Sequence, residues 1–490
     1  MLSSIQYLLL PVLNSLGPVF LGLAVALLLP LSVSLTHQDN IHWGYIYCLA
    51  VSFGLGVFLT VGLRRYRREL NARHGFLLVT LTWALVPLLS TIPLIYALPN
   101  ISLSALYFET MSCLTTTGGT VLTGLDHLPL SLNGWRSLLS WIGGMGLIVL
   151  SVAILPLLGV GGAQIIKAEV SGPLKESKLT PRIADTAKAL YLIYLGISIL
   201  CVIAYHLAGM SWDDAILHMM TTVSLSGISA HDASYAYFNS ATIDIVATIF
   251  MIICGINFSL HFVALRYRNP LQYFKDREAI GWFFILFLLT AYSTTVLLWT
   301  ETYQDFLTAL RHAAFAVTSV ASTTGYTNEN WELWPMGIPI LLILSSAVAT
   351  CGGSTGGGLK MIRLQILLHL IQRELKQLLY PKAIIPLKIN DKAIDHNLLL
   401  AILGYSLVWG LSTFVISMIL IISGLPIKEG LSAAIACMAN LGPGLGQIGP
   451  VSNYAGLNDF QLFICSIAML IGRLEIFTVF VLFSKTYWRI

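Results

Sequence analysis

Thr115-Thr116-Thr117-Gly118-Gly119-Thr120 (TTTGGT) returns in looser form three more times along the chain. The later copies are Ser224–Ser229 (SLSGIS), Ser322–Thr327 (STTGYT) and Ala439–Gly444 (ANLGPG). Between Gly118, Gly227, Gly325 and Gly442 the separations are 109, 98 and 117 residues. A near-regular recurrence of this kind indicates one structural unit used several times. Each stretch follows a short, partly apolar segment and lies between two hydrophobic spans. The unit therefore reads as helix, short re-entrant helix, glycine-bearing loop, helix, and four such units around an axis enclose a pore.

Composition places those units in a membrane. Of 490 residues, 56% are hydrophobic and 10% charged, with a mean hydropathy of +0.80. Apolar runs of about 20 residues cross a hydrocarbon core about 30 Å thick. Lipid offers backbone groups no water to bond, so the spans are helices. The fold class is an all-α polytopic membrane protein. Full spans are expected near 17–36, 43–63, 75–98, 135–159, 186–209, 240–265, 280–300, 336–370, 397–424 and 459–484. The first two form a leading transmembrane hairpin, and the other eight make four helix–pore helix–helix repeats in pseudo-fourfold array around one pore. The re-entrant segments begin near Leu103, Trp212, Gln304 and Lys428. The chain then divides into 1–74 (hairpin and basic loop), 75–160 (repeat 1), 161–279 (repeat 2 with its loops), 280–370 (repeat 3, second helix broken) and 371–490 (a loop and repeat 4).

Charge placement orients the array. The connections at 64–74, 160–188, 266–279 and 360–395, with the tail from Lys485, hold 23 of the 27 Lys and Arg. The positive-inside rule makes that face cytoplasmic. Both termini then lie inside and the four glycine loops outside, a side that carries only Arg136, Arg311 and Lys428 as Lys or Arg. Of 23 acidic residues, 13 are external or near it, Glu109, Asp126, Asp214, Asp232, Asp244 and Glu332 among them. An acidic rim above a pore concentrates cations.

A cation entering a pore must exchange its water for other oxygens, and backbone carbonyls held in register supply them. Such a loop needs residues that tolerate unusual dihedrals, hence glycine. The candidate ligand strands are Thr116-Thr117-Gly118, Leu225-Ser226-Gly227, Thr323-Thr324-Gly325 and Asn440-Leu441-Gly442. Helix-connecting turns are the alternative, since Gly, Ser, Thr and Asn favour them anyway. Four matching loops on one face weigh against it. No CxxC pair occurs among the seven cysteines, no histidine has a metal-ligand spacing, and no Ser/His/Asp set or paired buried carboxylates are readable. The chain is therefore read as no enzyme, with no cofactor of its own and no nucleic-acid partner.

The span at 336–370 is too long to stay one helix, about 52 Å at 1.5 Å per residue. Gly352-Gly353-Ser354-Thr355-Gly356-Gly357-Gly358 lies in its middle, and each glycine costs a helix about 1 kcal/mol relative to alanine. Two half-helices joined by a loop are expected, and a passive kink for close packing is the competing reading. Arg473 lies within the last span, where a charge must face water or a partner. Glu475, two residues on, does not share its helix face. A pore-facing guanidinium below the glycine strands would oppose cation passage.

TTTGGT, STTGYT, STGGGLK (354–360), NLGPGLG (440–446) and IGRLEIF (471–477) resemble the membrane subunits of the Trk/Ktr/HKT superfamily of potassium transporters, of the TrkH/TrkG type. The likeness covers essentially the whole chain. It implies four pseudo-repeats around one pore, a homodimer in the bacterial inner membrane, and a cytosolic TrkA-type ring that binds a nucleotide (ATP/ADP or NAD). The family's filter glycines map onto Gly118, Gly227, Gly325 and Gly442, with K⁺ as the ion held there. The resemblance makes 352–358 an intramembrane gating loop with Lys360 at its end. Serine at the first glycine is associated with sodium permeation in this superfamily, so Gly118 favours potassium. Ser226 and Asn440-Leu441 depart from the repeat and make the filter lopsided. The alternatives are a symporter moving K⁺ with H⁺ or Na⁺ and a poorly selective K⁺/Na⁺ transporter.

Overall fold

The computed structural model describes residues 2–149, 183–348, 350–383, 385–389, 392–393 and 395–488. Among these the regular structure is helical apart from one hairpin of two short strands, Lys388–Ile389 with Lys392–Ala393. Six helices are long and apolar enough to cross a bilayer, and two further spans are bent pairs. The expected span at 135–159 is represented by a helix at Leu130–Val149, its remainder lying outside the described residues.

The leading hairpin pairs the run Gln6–His37 with His42–Gly62. Small residues let the two backbones close up, as is usual where lipid gives no hydrophobic drive between helices. A Cβ on Gly17 would stand 2.2 Å from Thr60 Oγ1, and one on Gly56 would stand 2.8 Å from Leu21 Cγ.

Four units follow. Their first spans are Ala72–Ala97, Ile183–Leu207, Arg277–Trp299 and His396–Ile422. Their short pore helices are Leu103–Leu114, Trp212–Val223, Phe306–Ala321 and Ile427–Ala439. Three of the four start on a side-chain cap: Ser102 accepts from the Ala105 N–H, Ser211 from Asp214 and Asp305 from Thr308. Each cap satisfies one of the orphan donors at a helix start. The fourth begins directly after Pro426, which stands at the N-cap position with no side-chain cap bond.

Two second spans depart from the sequence expectation. The run expected as one helix at 240–265 is broken into Ala241–Cys254 and Phe258–Arg266, which meet at 92°. Asn257 causes the restart, its Oδ1 accepting the Ser259 N–H at 2.8 Å. The run expected at 459–484 is broken into Asp459–Arg473 and Ile476–Phe483 at 111°, with Glu475 at φ +58° in the corner. In the third unit the first half-helix ends at Ser346, and the next begins at Met361 and runs to Leu379. Three of the four second spans thus open at one level, around the glycine segment between Ser346 and Met361.

Candidate functional site: a ring of four glycine strands over a glycine loop

Each pore helix ends in the same hydrogen-bonded turn. Thr116, Leu225, Thr323 and Asn440 donate three residues back, to Cys113, Thr222, Val320 and Cys437. The next residues, Thr117, Ser226, Thr324 and Leu441, donate five residues back, to Ser112, Thr221, Ser319 and Ala436. This is the Schellman pattern, which places its pivot residue in the left-handed region. The pivots have φ of +53°, +54°, +61° and +54°. Two are β-branched threonines, for which that conformation is strained. The two bonds of the motif hold that pivot and turn the strand out of helical geometry, so its carbonyls leave the helix ladder.

The glycines close the ring. A Cβ on Gly118 would lie 2.0 Å from Ser226 O, and one on Gly227 would lie 1.9 Å from Thr324 O. On Gly325 it would meet Pro443 Cδ at 2.8 Å, and on Gly442 the carbonyl carbon of Gly118 at 2.7 Å. Strand 1 thus abuts strand 2, 2 abuts 3, 3 abuts 4 and 4 returns to 1. The twelve strand residues come together in one cyclic array below a cavity of about 80 Å³ lined by all four glycines.

Side chains turn away from that axis. Thr117 shares a hydrogen bond with Thr115 at 2.8 Å, and Thr324 shares one with Ser322 at 2.6 Å. Ser226 donates to Ser140 on a neighbouring span at 2.9 Å. Asn440 donates to Thr117 Oγ1 and to Met469 O. Thr116 Oγ1 and Asn440 Oδ1 are buried with no hydrogen-bond partner among the described residues. The fourth strand is chemically distinct: Gly442 lacks a positive φ, and its carbonyl accepts from the Tyr454 hydroxyl at 2.9 Å.

Tyrosines that sequence reasoning passed over brace the strands from behind. Tyr326 OH bonds Thr221 and Thr222 at 2.5 and 3.1 Å and donates to His218 O at 3.2 Å. It thereby ties strand 3 to pore helix 2. The signal available was its position directly after the third glycine.

The acidic rim needs correction. Glu109 is fully buried and paired with Arg136 at 2.8 Å. Asp244 holds Arg311 at 2.8 Å, and Glu332 holds Lys428. These carboxylates neutralise the three basic residues assigned to the same side. They do not stand as free mouth charges, since burial without a counter-charge is costly. The pairs also bridge elements: Arg136 NH1 reaches Ser229 O in strand 2's exit, and Lys428 belongs to the fourth pore helix while Glu332 precedes the third unit's second span.

Between units 1 and 2 the bridge is a histidine. His231 Nδ1 meets Asp126 at 2.5 Å, and Nε2 meets Asp214 at 3.0 Å. Its ring stacks on Tyr237, centroids 3.6 Å apart. Burial alone would lower the imidazole, but Asp214 and Asp126 outweigh it, and the pKa lies above the ordinary 6.5. Burial opposes ionisation of Asp126 too, yet its bond with His231 leaves its pKa below 3.8. A raised histidine adds stability that is complete below pH 6.5 and is lost as pH climbs through the folded value. The lowered carboxylate adds stability above 3.8 that is lost on acidification through its own folded value. The thermal midpoint of the detergent-solubilised protein should therefore fall as pH rises above 6.5, and His231→Gln should abolish that slope. Equal slopes in both proteins would remove the clasp from the account.

The 352–358 segment lies directly under the strands. A Cβ on Gly357 would stand 2.0 Å from Ala439 O, and one on Gly356 would stand 3.0 Å from Ser322 O. The Gly357 N–H donates to Thr323 Oγ1 at 2.9 Å, and Thr355 Oγ1 donates to Val223 O at 3.0 Å. Gly352, Gly353 and Ser354 form its entry, where Gly353 O accepts the Phe258 N–H and Ser354 Oγ bonds Cys351 O. Gly358 turns at φ +76°, and Lys360 Nζ donates to Gly356 O. Arg473, 3% exposed, donates from one terminal nitrogen to Thr355 O at 3.0 Å. Its Nε and second terminal nitrogen have no partner among the described residues. Glu475 instead pairs with Arg363 at 2.9 Å, and that guanidinium lies 3.7 Å over the Tyr405 ring.

The TrkH family model, described as a cation transport protein, matches residues 37–490. Over 465 residues the chain is 41% identical to the Trk system potassium uptake protein TrkH of Salmonella typhimurium, covering 94% of this chain and 96% of that one. It is 32% identical to the Trk system potassium uptake protein TrkG of Escherichia coli, covering 95% and 96%. The crystal structure of the potassium transporter TrkH from Vibrio parahaemolyticus superposes with a TM-score of 0.90 at 38% identity, covering 98% of this chain and 99% of that one.

Proposed function

This chain belongs to the TrkH family of cation transport proteins, and from that premise we propose that it takes up potassium through one pore per subunit. The observation that carries this reading is the cyclic contact of the four glycine strands. Carbonyls released from the helix ladder at 116–118, 225–227, 323–325 and 440–442 replace the ion's water. No catalytic residue is needed for that exchange. The occupied Gly442 carbonyl makes the ring unequal and favours discrimination weaker than a fourfold filter gives.

Exit is controlled beneath the strands. The loop 352–358 with Lys360 obstructs the path, and the Arg473 guanidinium, bonded to Thr355 O, adds a field that repels cations. The protein works as a homodimer in the bacterial inner membrane, both termini cytoplasmic. Its partner is a cytosolic TrkA-type ring carrying the nucleotide. That ring biases the loop through the basic connections at 371–395 and at 160–188, the latter mostly outside the described residues.

The test is Rb⁺ and Na⁺ flux into proteoliposomes, with and without the cytosolic partner. Rb⁺ flux exceeding Na⁺ flux supports the reading, and no cation flux even with the partner removes it. Arg473→Ala and deletion of 352–357 should each raise partner-free Rb⁺ flux by about tenfold or more, the shift expected when roughly 1.4 kcal/mol is taken from a closed state. Unchanged flux in both would reduce the loop to packing.

A further inference from the structure

Glu278 stands in the first turn of the third unit's first span, Arg277–Trp299, and is 6% exposed. Its Oε1 accepts two backbone N–H groups, that of Gly352 at 2.6 Å and that of Ile362 at 3.1 Å. Gly352 is where the glycine loop begins, and Ile362 is the second residue of the helix that leaves it. One carboxylate oxygen therefore closes the neck of the lobe at 352–362.

The helix start at Met361 needs such a group. Its N-cap position is Lys360, at φ +74° and with no side-chain cap bond. A carboxylate from another element supplies the missing acceptor and places negative charge at the positive end of the helix dipole. Charge-assisted bonds of this kind are about twice as strong as neutral ones. Backbone bonds also hold the neck, among them Met361 N–H to Thr350 O at 2.8 Å and Cys351 N–H to Gly255 O at 3.1 Å. These join the lobe to itself and to the break in the second unit's span.

We propose that Glu278 is the positioning residue of the gate, a pin that joins the entry and exit of the 352–362 lobe so that it moves as one body. The inference rests on the gating reading of that loop. Movement of the lobe out of the pore turns about Gly352 and Ile362, both held by the same oxygen. With the pin gone the charge-assisted tie between the two ends is lost, and the loop leaves the path without a signal from the partner.

The test is partner-free and partner-stimulated Rb⁺ flux in proteoliposomes. Glu278→Ala should raise the partner-free flux by about tenfold and leave the stimulated flux near wild type. Glu278→Gln keeps an oxygen of equal reach and should stay shut. Should the alanine variant fail to fold, Glu278→Asp, one methylene shorter and unable to span both N–H groups, carries the test with the same sign. Flux at the wild-type ratio in Ala and Asp, or a parallel fall of both fluxes, overturns the pin. The 352–357 deletion in the same vesicles separates the two ideas. A leaking deletion with a shut Glu278→Ala sinks the pin alone, whereas two shut proteins sink the gate and the pin with it.

Discussion

Gly118→Ser should lower the ratio of Rb⁺ to Na⁺ flux by about tenfold or more, a change of about 1.4 kcal/mol in relative barrier. The reason is contact, before any chemistry of the hydroxyl. A Cβ at this position would lie 2.0 Å from Ser226 O, less than any real carbon–oxygen contact, so strand 1 or strand 2 must shift. The backbone at φ +87° adds a cost of about 1–2 kcal/mol for a residue with a side chain. On the proposed function both effects fall on the carbonyls that would meet a dehydrated ion, where small displacements change relative affinities. Gly227→Ala should act alike, its Cβ reaching to 1.9 Å from Thr324 O. Gly410→Ala is the control, because nothing stands within 4 Å of that Cβ. An unchanged flux ratio in Gly118→Ser would mean that the strand contacts do not set selectivity.

The repeat spacing and the four pore helices were legible because each rests on local chemistry. Hydropathy marks the spans, and a glycine with flanking hydroxyls marks each loop. The broken second spans of units 2 and 4 were not legible, because their causes are tertiary. Gly255 and Asn257 look tolerable inside an apolar run. The break follows from Asn257 capping a new helix and from Gly255 O and Phe258 N–H bonding the glycine loop of another unit. Glu475 likewise turns out of its helix to reach Arg363, 112 residues away. Glu109, Asp244 and Glu332 were miscast as mouth charges for the same reason. Glu109 reads as a rim carboxylate from hydropathy alone, and only the fold shows Arg136 beside it. Glu278 gave no signal at all, since the two N–H groups that meet its Oε1 are backbone groups.

That buried pair yields the second large effect. Arg136→Ala should destabilise the protein by about 3–5 kcal/mol, the usual cost of leaving one partner of a buried ion pair behind. Glu109 is 0% exposed and would keep only the Thr120 hydroxyl and the Val121 N–H, both near 2.9 Å. Removing both charges together, as Glu109→Gln with Arg136→Met, should cost much less than Arg136→Ala, because no charge is then stranded. A double-mutant cycle on unfolding in detergent reads the difference directly. Additive losses would mean that the two side chains are not energetically coupled. The guanidinium also holds Thr120 Oγ1 at 3.2 Å and Ser229 O at 3.3 Å, joining the exits of strands 1 and 2. Material that survives Arg136→Ala should therefore pass Na⁺ more readily relative to Rb⁺, although residue 136 lies outside every strand. On the proposed path a positive side chain is tolerated here because its charge is met by Glu109, and its remaining donors tie the exits of strands 1 and 2.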